Sequence, residues 1–250
     1  MSGRNRDRSR PSMNLWSLYK MGGITPAINS MFNPQNAQQM AFIRQVMKKQ
    51  RKDFIMESPL AEIEAVVFDL ETTGFHPNGG DEILSFGAIA AKGSDIQVEE
   101  AFYTLVNPGR AIPPHITELT GIDEAAVANA PSVMEALGAF FEFVDKRMLV
   151  AHASGHDKQF LNAALWRTSK VQLTHRVMDT MMIAKWLQPE LPDFTLDTLL
   201  QANGIEVTVR HHALEDSKMT AKLWASYLRM IQEKRNIHSL GDLYAYLSQG

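Results

Sequence analysis

The sequence predicts an α/β fold: a mixed five-stranded sheet with helices on both faces. Three observations predict it. Ala65-Val66-Val67-Phe68 is a continuous apolar run, as a central strand buried on both sides requires. Two more strand-like stretches follow it with short connections, which makes the first three strands an antiparallel meander. Beyond residue 123, helical and short strand patterns alternate, and strands reached through helices lie in a sheet covered by those helices.

The elements follow in order. Residues 1–35 carry Arg4, Arg6, Arg8 and Arg10, then Gly22, Gly23, Pro26 and Pro34, with little periodicity, and read as a flexible arm. From about Asn36 to Phe54 the pattern is helical, with Met40, Ile43, Val46 and Met47 on one face and Lys48, Lys49, Arg51 and Lys52 near the end. The body starts near Ile63. Residues 83–91 form a second strand, Lys92-Gly93-Ser94-Asp95 a turn, and 97–106 a third strand. Helices are expected at 123–128 and at 132–146, the latter opened by Pro131, then a strand at 148–152 and a helix at 155–166. A brief strand at 176–178 precedes helices at 180–187, 195–202 and 213–233, and a short helix falls near 240–247. This gives a basic N-terminal arm with an amphipathic helix (1–62), a catalytic-sized domain (63–232) and a C-terminal appendage (233–250).

Charge is divided unevenly. The net charge is −3, but residues 1–56 carry +8 and the remainder −11. An acidic body that handles a polyanion needs cations at the point of contact, and the basic arm is a candidate tether. There is no cysteine, so disulfides, thiolate metal sites and thiol nucleophiles are excluded, and any metal falls to carboxylates and histidines. No apolar run reaches membrane-helix length, and Ser17 and Lys20 interrupt the apolar residues near the start, so neither a membrane span nor a secretory signal is expected. A cytoplasmic protein is the expectation. A GxxxxGK phosphate loop and an HExxH zinc helix are both missing.

The first strand ends in Asp69-Leu70-Glu71-Thr72-Thr73-Gly74. Positions i and i+2 of a strand face the same way, so Asp69 and Glu71 project together. Two such carboxylates repel and are costly to bury, and a divalent cation is the usual remedy. Asp157 opens a helix just after a strand, and Asp216 lies early in the last long helix, five residues after His211. Either acid alone could be a helix-start charge favoured by the dipole. Four together form an oxygen cage suited to two Mg²⁺ or Mn²⁺ ions.

Asp69-x-Glu71-Thr72-Thr73-Gly74, Ala151-His152 through Asp157-x-x-Phe160-Leu161, and His211-x-Ala213-Leu214-x-Asp216 together resemble the three motifs of the DEDDh 3′→5′ exonucleases, the family of the proofreading epsilon subunit of bacterial DNA polymerase III. Ile112-Pro113 and Leu119-Thr120-Gly121-Ile122 are similar to a substrate loop of such domains. The resemblance implies a ribonuclease H-like fold, with Asp69, Glu71, Asp157 and Asp216 holding two divalent cations and His211 as general base. It also implies that Thr72, Thr73, Gly74, Leu119 and Thr120 lie against the terminal nucleotide. Phe160 is open to stacking on a base or packing into the core, Asp179 is read as a helix N-cap, and His152 as a satisfied interior residue. The implied activity is release of 5′-mononucleotides from single-stranded or frayed DNA ends. RNA is the alternative substrate, and a catalytically weakened binding module the other alternative. A nucleic-acid partner is implied, and a polymerase or repair partner through the arm. The second motif departs from the family at Ala153, where Asn is usual, and at His156, where an aromatic is usual.

Overall fold

The computed structural model describes residues 34–50, 56–234 and 237–248. The arm at 1–33 and the proposed helix extension to Phe54 lie outside them. The chain divides into two units, 1–38 and 39–250, and of the first only the opening turn of a helix is described. That helix, α1, is Pro34–Gln50. Next come β1 (Glu64–Thr72), β2 (Ile83–Lys92), β3 (Asp95–Leu105), α2 (Pro114–Thr120), α3 (Glu124–Val127), α4 (Val133–Val144) and β4 (Met148–Ala151). The chain continues through α5 (Gly155–Ser169), β5 (Val177–Asp179), α6 (Thr180–Leu187), α7 (Leu196–Ala202), α8 (Ala213–Lys234) and α9 (Leu240–Leu247).

The five strands form one sheet in the order β3-β2-β1-β4-β5. β1, β2 and β3 are antiparallel neighbours, while β4 and β5 join parallel to β1 and to each other. The expected mixed sheet is therefore present, with β1 at its centre. Its twofold side-chain alternation sorts the core. Ala65 and Val67 pack with Ile89, Val150 and the α8 residues Leu223, Trp224, Tyr227 and Leu228 on one face. Val66, Phe68 and Leu70 pack with Phe86, Phe140, Phe141 and Leu161 of β2, α4 and α5 on the other. Asp69 and Glu71 continue the Ala65/Val67 row and so belong to the α8 face.

Segments at both ends of the body join these cores. Ile43 and Met47 of α1 are buried with the α4–α5 face. Leu240 and Leu243 of α9 are buried with the α8 face, and Pro59 bridges to Ser239.

Two local expectations are corrected. The stretch read as a substrate loop is in part helical, because Pro114 sits in the first turn, where its missing N–H costs nothing, and Gly121 closes α2 at φ 72. The helix expected at 132–146 runs from Val133 to Val144 and is opened not by Pro131 but by its N-cap Ser132, whose side chain and Glu135 form a reciprocal capping box.

The seat of α8 depends on one glycine. Gly87 pairs with Asp69 across β1 and β2, and a Cβ there would stand 2.1 Å from the backbone of Ala213. The Ser217 hydroxyl lies 2.9 Å from Gly87 O, tying the helix to the strand at the same point. Gly87→Ala should therefore unseat the start of α8, lowering stability by about 3 kcal/mol or more in denaturant unfolding. An unchanged midpoint would mean that the helix does not need this close approach.

Candidate active site

Asp69 and Glu71 leave β1 on the α8 face, and Asp216 reaches them from the first turn of α8. One carboxylate oxygen from each of the three lies within 4.8 Å of the others. They line a cavity of about 630 Å³ shared with His211, His152, Arg210, Lys185 and Phe194. Burial, then the charges of Asp157, Glu71 and Asp216, push Asp69 well above the usual carboxylate range, against the pull of Arg210. Glu71 is pushed up to about 7, by burial first and by Asp216 next, with Arg210 again opposing. Burial is the larger cause of both shifts, and the neighbouring carboxylates add to it despite Arg210.

Asp157 lies outside that set of three, in the first turn of α5, and is buried. Burial raises its carboxyl to about 8; its own N–H and that of Leu70 donate to it and oppose the rise, while Asp179 and Glu71 add to it. The bond from Leu70 places Asp157 against the backbone between the two β1 acids.

The segment before α8 sets the histidines apart. His211 is exposed, has φ 59, and donates its backbone N–H to Asp216 Oδ2 at 2.9 Å. His212 instead stacks its ring on Tyr103 at 4.7 Å and 19°. The ring open to the cavity is thus His211, the one the motif spacing selects. Arg210, which the sequence reading did not single out, forms ion pairs with Asp216 Oδ1 and, at 2.6 Å, with Asp197 Oδ1. Lys185, whose ammonium stands 5.7 Å from the Phe194 ring centre, was missed too. Only the place of Arg210 beside His211 could have drawn attention to it; Lys185 carries no local signal. Tyr103 is a third such neighbour, its hydroxyl raised by burial and by the charge of Glu71.

The turn between β4 and α5 is held by Asp179. Its carboxylate accepts the N–H groups of Ala153 (3.0 Å), Ser154 (2.8 Å) and Met181 (2.9 Å) and the Ser154 hydroxyl (3.1 Å). It is the N-cap of α6, as read, and fixes the chain that delivers Asp157. His152, half-buried, pairs with the Thr180 hydroxyl at 3.0 Å. Ala153 has φ 49, a left-handed conformation that Asn tolerates better than Ala. His156 packs against Phe160 at 4.7 Å with the rings tilted by 46° and meets Phe75 edge-on at 5.7 Å, so it serves as the aromatic ring of that position. Burial lowers its pKa and favours the neutral ring.

The residues expected against a nucleotide are more dispersed. Thr72 is buried and donates its hydroxyl to Gly74 O at 2.7 Å. Thr73 is buried and turned to the Asp81 loop, accepting Glu82 N–H at 3.0 Å. Gly74 sits close to Asp81, and a Cβ there would fall 2.3 Å from Asp81 Oδ2 and have to displace that carboxylate. Leu119 is exposed on α2, while the Thr120 hydroxyl caps that helix internally through Ile116 O. Phe160 is 1% exposed within the core, so of its two readings packing is the one displayed. Of the named residues, the cavity brings together Asp69, Glu71, His211 and Asp216; it does not include Asp157, Thr72, Thr73, Gly74, Leu119, Thr120 or Phe160.

A central β1 with acids at its exit, in a sheet of this order, defines the ribonuclease H-like class of nuclease folds. The exonuclease family model matches residues 66–224, and the chain belongs to that family. It is 38% identical over 190 residues to a PolC-type DNA polymerase III of Caldanaerobacter subterraneus subsp. tengcongensis, covering 75% of this chain and 13% of that one. It is 37% identical over 179 residues to a DNA polymerase III subunit epsilon-like protein of Rhodobacter capsulatus, covering 71% of this chain and 25% of that one. The chain thus spans a quarter or less of these relatives. Among solved structures, the nuclease domain of 3′hExo, a DEDDh family member bound to rAMP, superposes with a TM-score of 0.55 at 20% identity, covering 69% of this chain and 94% of that one.

The raised carboxyls fix a pH dependence. Glu71 and Asp157 keep protons in the fold where the unfolded chain has released them, so the unfolded state binds fewer protons and stability falls as pH rises. That stability is fully present below about pH 4 and is lost as pH passes through 7 and 8. His175, held near 4 by burial, has the opposite sign, but its contribution changes only below about 6.5. Metal-free protein should lose about 5 °C of melting temperature between pH 6.5 and 8.5. Mn²⁺ should restore most at the upper end, and Asp157→Asn should flatten the slope. A flat profile for the unaltered protein would contradict it. Separately, Ala153→Asn should raise stability by up to about 1 kcal/mol in thermal unfolding, by relieving the left-handed backbone.

Proposed function

We propose that this chain is a metal-dependent 3′→5′ exonuclease that releases 5′-mononucleotides from single-stranded or frayed DNA ends. The observation that carries the reading is the convergence of Asp69, Glu71 and Asp216 within 4.8 Å on a cavity that also exposes His211. The donor set fits a hard divalent cation: the ligand atoms are carboxylate oxygens, and burial together with the neighbouring carboxylates keeps Asp69 and Glu71 raised despite Arg210. Asp69, Glu71, Asp157 and Asp216 are the proposed holders. Bound there, two Mg²⁺ or Mn²⁺ ions would supply Lewis acidity at the phosphodiester and a more acidic water.

The chain's own residues account for the rest. Lys185 and Arg210 give the cavity the cations that an acidic body needs to admit a phosphodiester. The His211 imidazole takes a proton from the attacking water at a ring nitrogen. The water oxygen bonds to phosphorus as the bond to the 3′-oxygen breaks; that oxygen is protonated and leaves as the 3′-hydroxyl of the shortened strand. Thr72, Thr73 and Gly74 shape the backbone turn at the end of β1, and Leu119 presents an exposed apolar side chain on α2. RNA remains the second substrate reading, because the structural relative 3′hExo binds rAMP and shares this fold. The polymerase names of the sequence relatives favour DNA and a replication context.

Purified protein with 5′-labelled DNA and RNA 20-mers and Mn²⁺ should give a ladder shortening from the 3′ end, faster on DNA. Chelator and Asp157→Ala should abolish it, and His211→Ala should slow it by about 10²- to 10⁴-fold. Intact oligomers under every metal condition would refute the reading.

A further inference from the structure

A second cavity, of about 460 Å³, opens where α1 meets the far end of α5. It is lined by Arg44 and Lys48 of α1, Trp166 near the end of α5, Lys170 just past it, and Gln172 and Thr174. Arg44 Nε donates to Ser169 O at 2.9 Å, and the Thr174 hydroxyl donates to Met47 O at 2.7 Å, so helix and body are joined along the groove. Trp166 is 56% exposed, with the Lys170 ammonium 5.7 Å from its ring centre. No acid lines the groove, and none of its three cations enters an ion pair among the described residues.

Helix dipoles account for part of this, since Lys48 lies in the last turn of α1 and Lys170 caps α5. They do not account for an exposed tryptophan between three uncompensated cations on a body whose residues 57–250 carry −11. A cationic groove beside a flat aromatic ring is the recurring chemistry of a single-stranded nucleic-acid contact: the cations follow the phosphates and the ring takes a base. α1 also lies outside the family-matched residues 66–224, so three of the eight groove residues fall outside the matched domain.

We propose that this groove is a second contact for the nucleic-acid strand, holding phosphates and one base upstream of the end that is hydrolysed. The proposal rests on the exonuclease reading for the direction of the strand, but not for the groove's own chemistry. α5 connects the two sites. Asp157 and Trp166 are nine residues apart on it, about 14 Å along the axis and on opposite sides of the helix. At about 3.4 Å per stacked nucleotide, the axial distance alone takes about four nucleotides, and the path to the opposite side of the helix takes more, so dT4 falls short of spanning them. Short oligomers therefore reach only the acid site, and longer ones reach both.

The test uses the full chain, dT4 and dT16, and the variants Lys48→Ala/Lys170→Ala and Trp166→Ala, with melting temperature as the control for folding. Arg44 is left intact because it closes α5. Fluorescence anisotropy in chelator reads dT16 binding across 50–200 mM salt, and Mn²⁺-dependent shortening of dT4 reads the acid site. Each variant should weaken dT16 binding by about tenfold, and the double variant should reduce the log–log salt slope by about 1.4. The dT4 turnover should stay unchanged. Unaltered dT16 affinity and slope in both variants, with dT4 turnover intact, would overturn the groove alone. Groove-dependent dT16 binding with no hydrolysis of any oligomer would support the groove and overturn the exonuclease reading. Groove-dependent binding of polyglutamate without binding of dT16 would assign the surface to an acidic protein segment and overturn the proposal.

Discussion

Crowding of carboxylates at the end of β1 is the constraint around which the rest of this domain is arranged. Asp69, Glu71 and Asp216 lie within 4.8 Å, and Asp157 is near enough for its charge to raise Asp69. Such a group is unfavourable by itself in a buried setting, so its compensation must be built into the backbone. Asp157 and Asp216 both lie in first helical turns, where free N–H groups and the positive end of the dipole favour a negative charge. Asp157 receives N–H groups from its own residue and from Leu70, and Asp216 receives that of His211. Arg210 supplies the only guanidinium bonded to the cluster among the described residues. Burial first and the neighbouring carboxylates next raise Asp69 and Glu71 despite Arg210, and this unrelieved crowding is the physical basis for the proposed affinity for divalent cations.

Bringing acids from separate elements to one point demands tight seating of the helices that carry them. For α8 this is achieved at Gly87, where no side chain intervenes between strand and helix, and by Ser217 against Gly87 O. For α5 it is achieved at Asp179, one carboxylate that organises both the turn before α5 and the start of α6. Neither residue belongs to the acid cluster's cavity, yet each controls where a cluster carboxylate stands.

The parts of this design that repeat within a few residues were legible in the sequence. Alternation placed Asp69 and Glu71 on one face, and the five-residue step from His211 to Asp216 selected the histidine that opens to the cavity over its neighbour His212, which is stacked on Tyr103. The order and kind of most elements were legible too, because strand and helix periods differ and their turns are marked. α2 was not, since Pro113-Pro114 reads as a break although the second proline suits a first helical turn. Lys185 and Tyr103 were not legible because their relation to the acids is made by packing between distant elements, and no local spacing encodes it, whereas Arg210 was marked only by its place beside His211.

The departures at the second motif illustrate how a site tolerates change in residue type when geometry is kept. His156 fills its aromatic position by packing, tilted, against Phe160, and burial disfavours its charged form, so it adds a ring without adding a cation beside Asp157. Its Nε2 lies 3.3 Å from the Thr72 hydroxyl, a polar contact that an ordinary aromatic ring could not make and that links α5 to the end of β1. Ala153 is the less comfortable change: it holds a left-handed backbone without a side chain suited to it, and the Asp179 carboxylate keeps its N–H in place. A neutral ring preserves the electrostatics and a hydrogen-bonded turn preserves the position of Asp157. The altered motif therefore leaves intact the two properties on which the acid cluster depends.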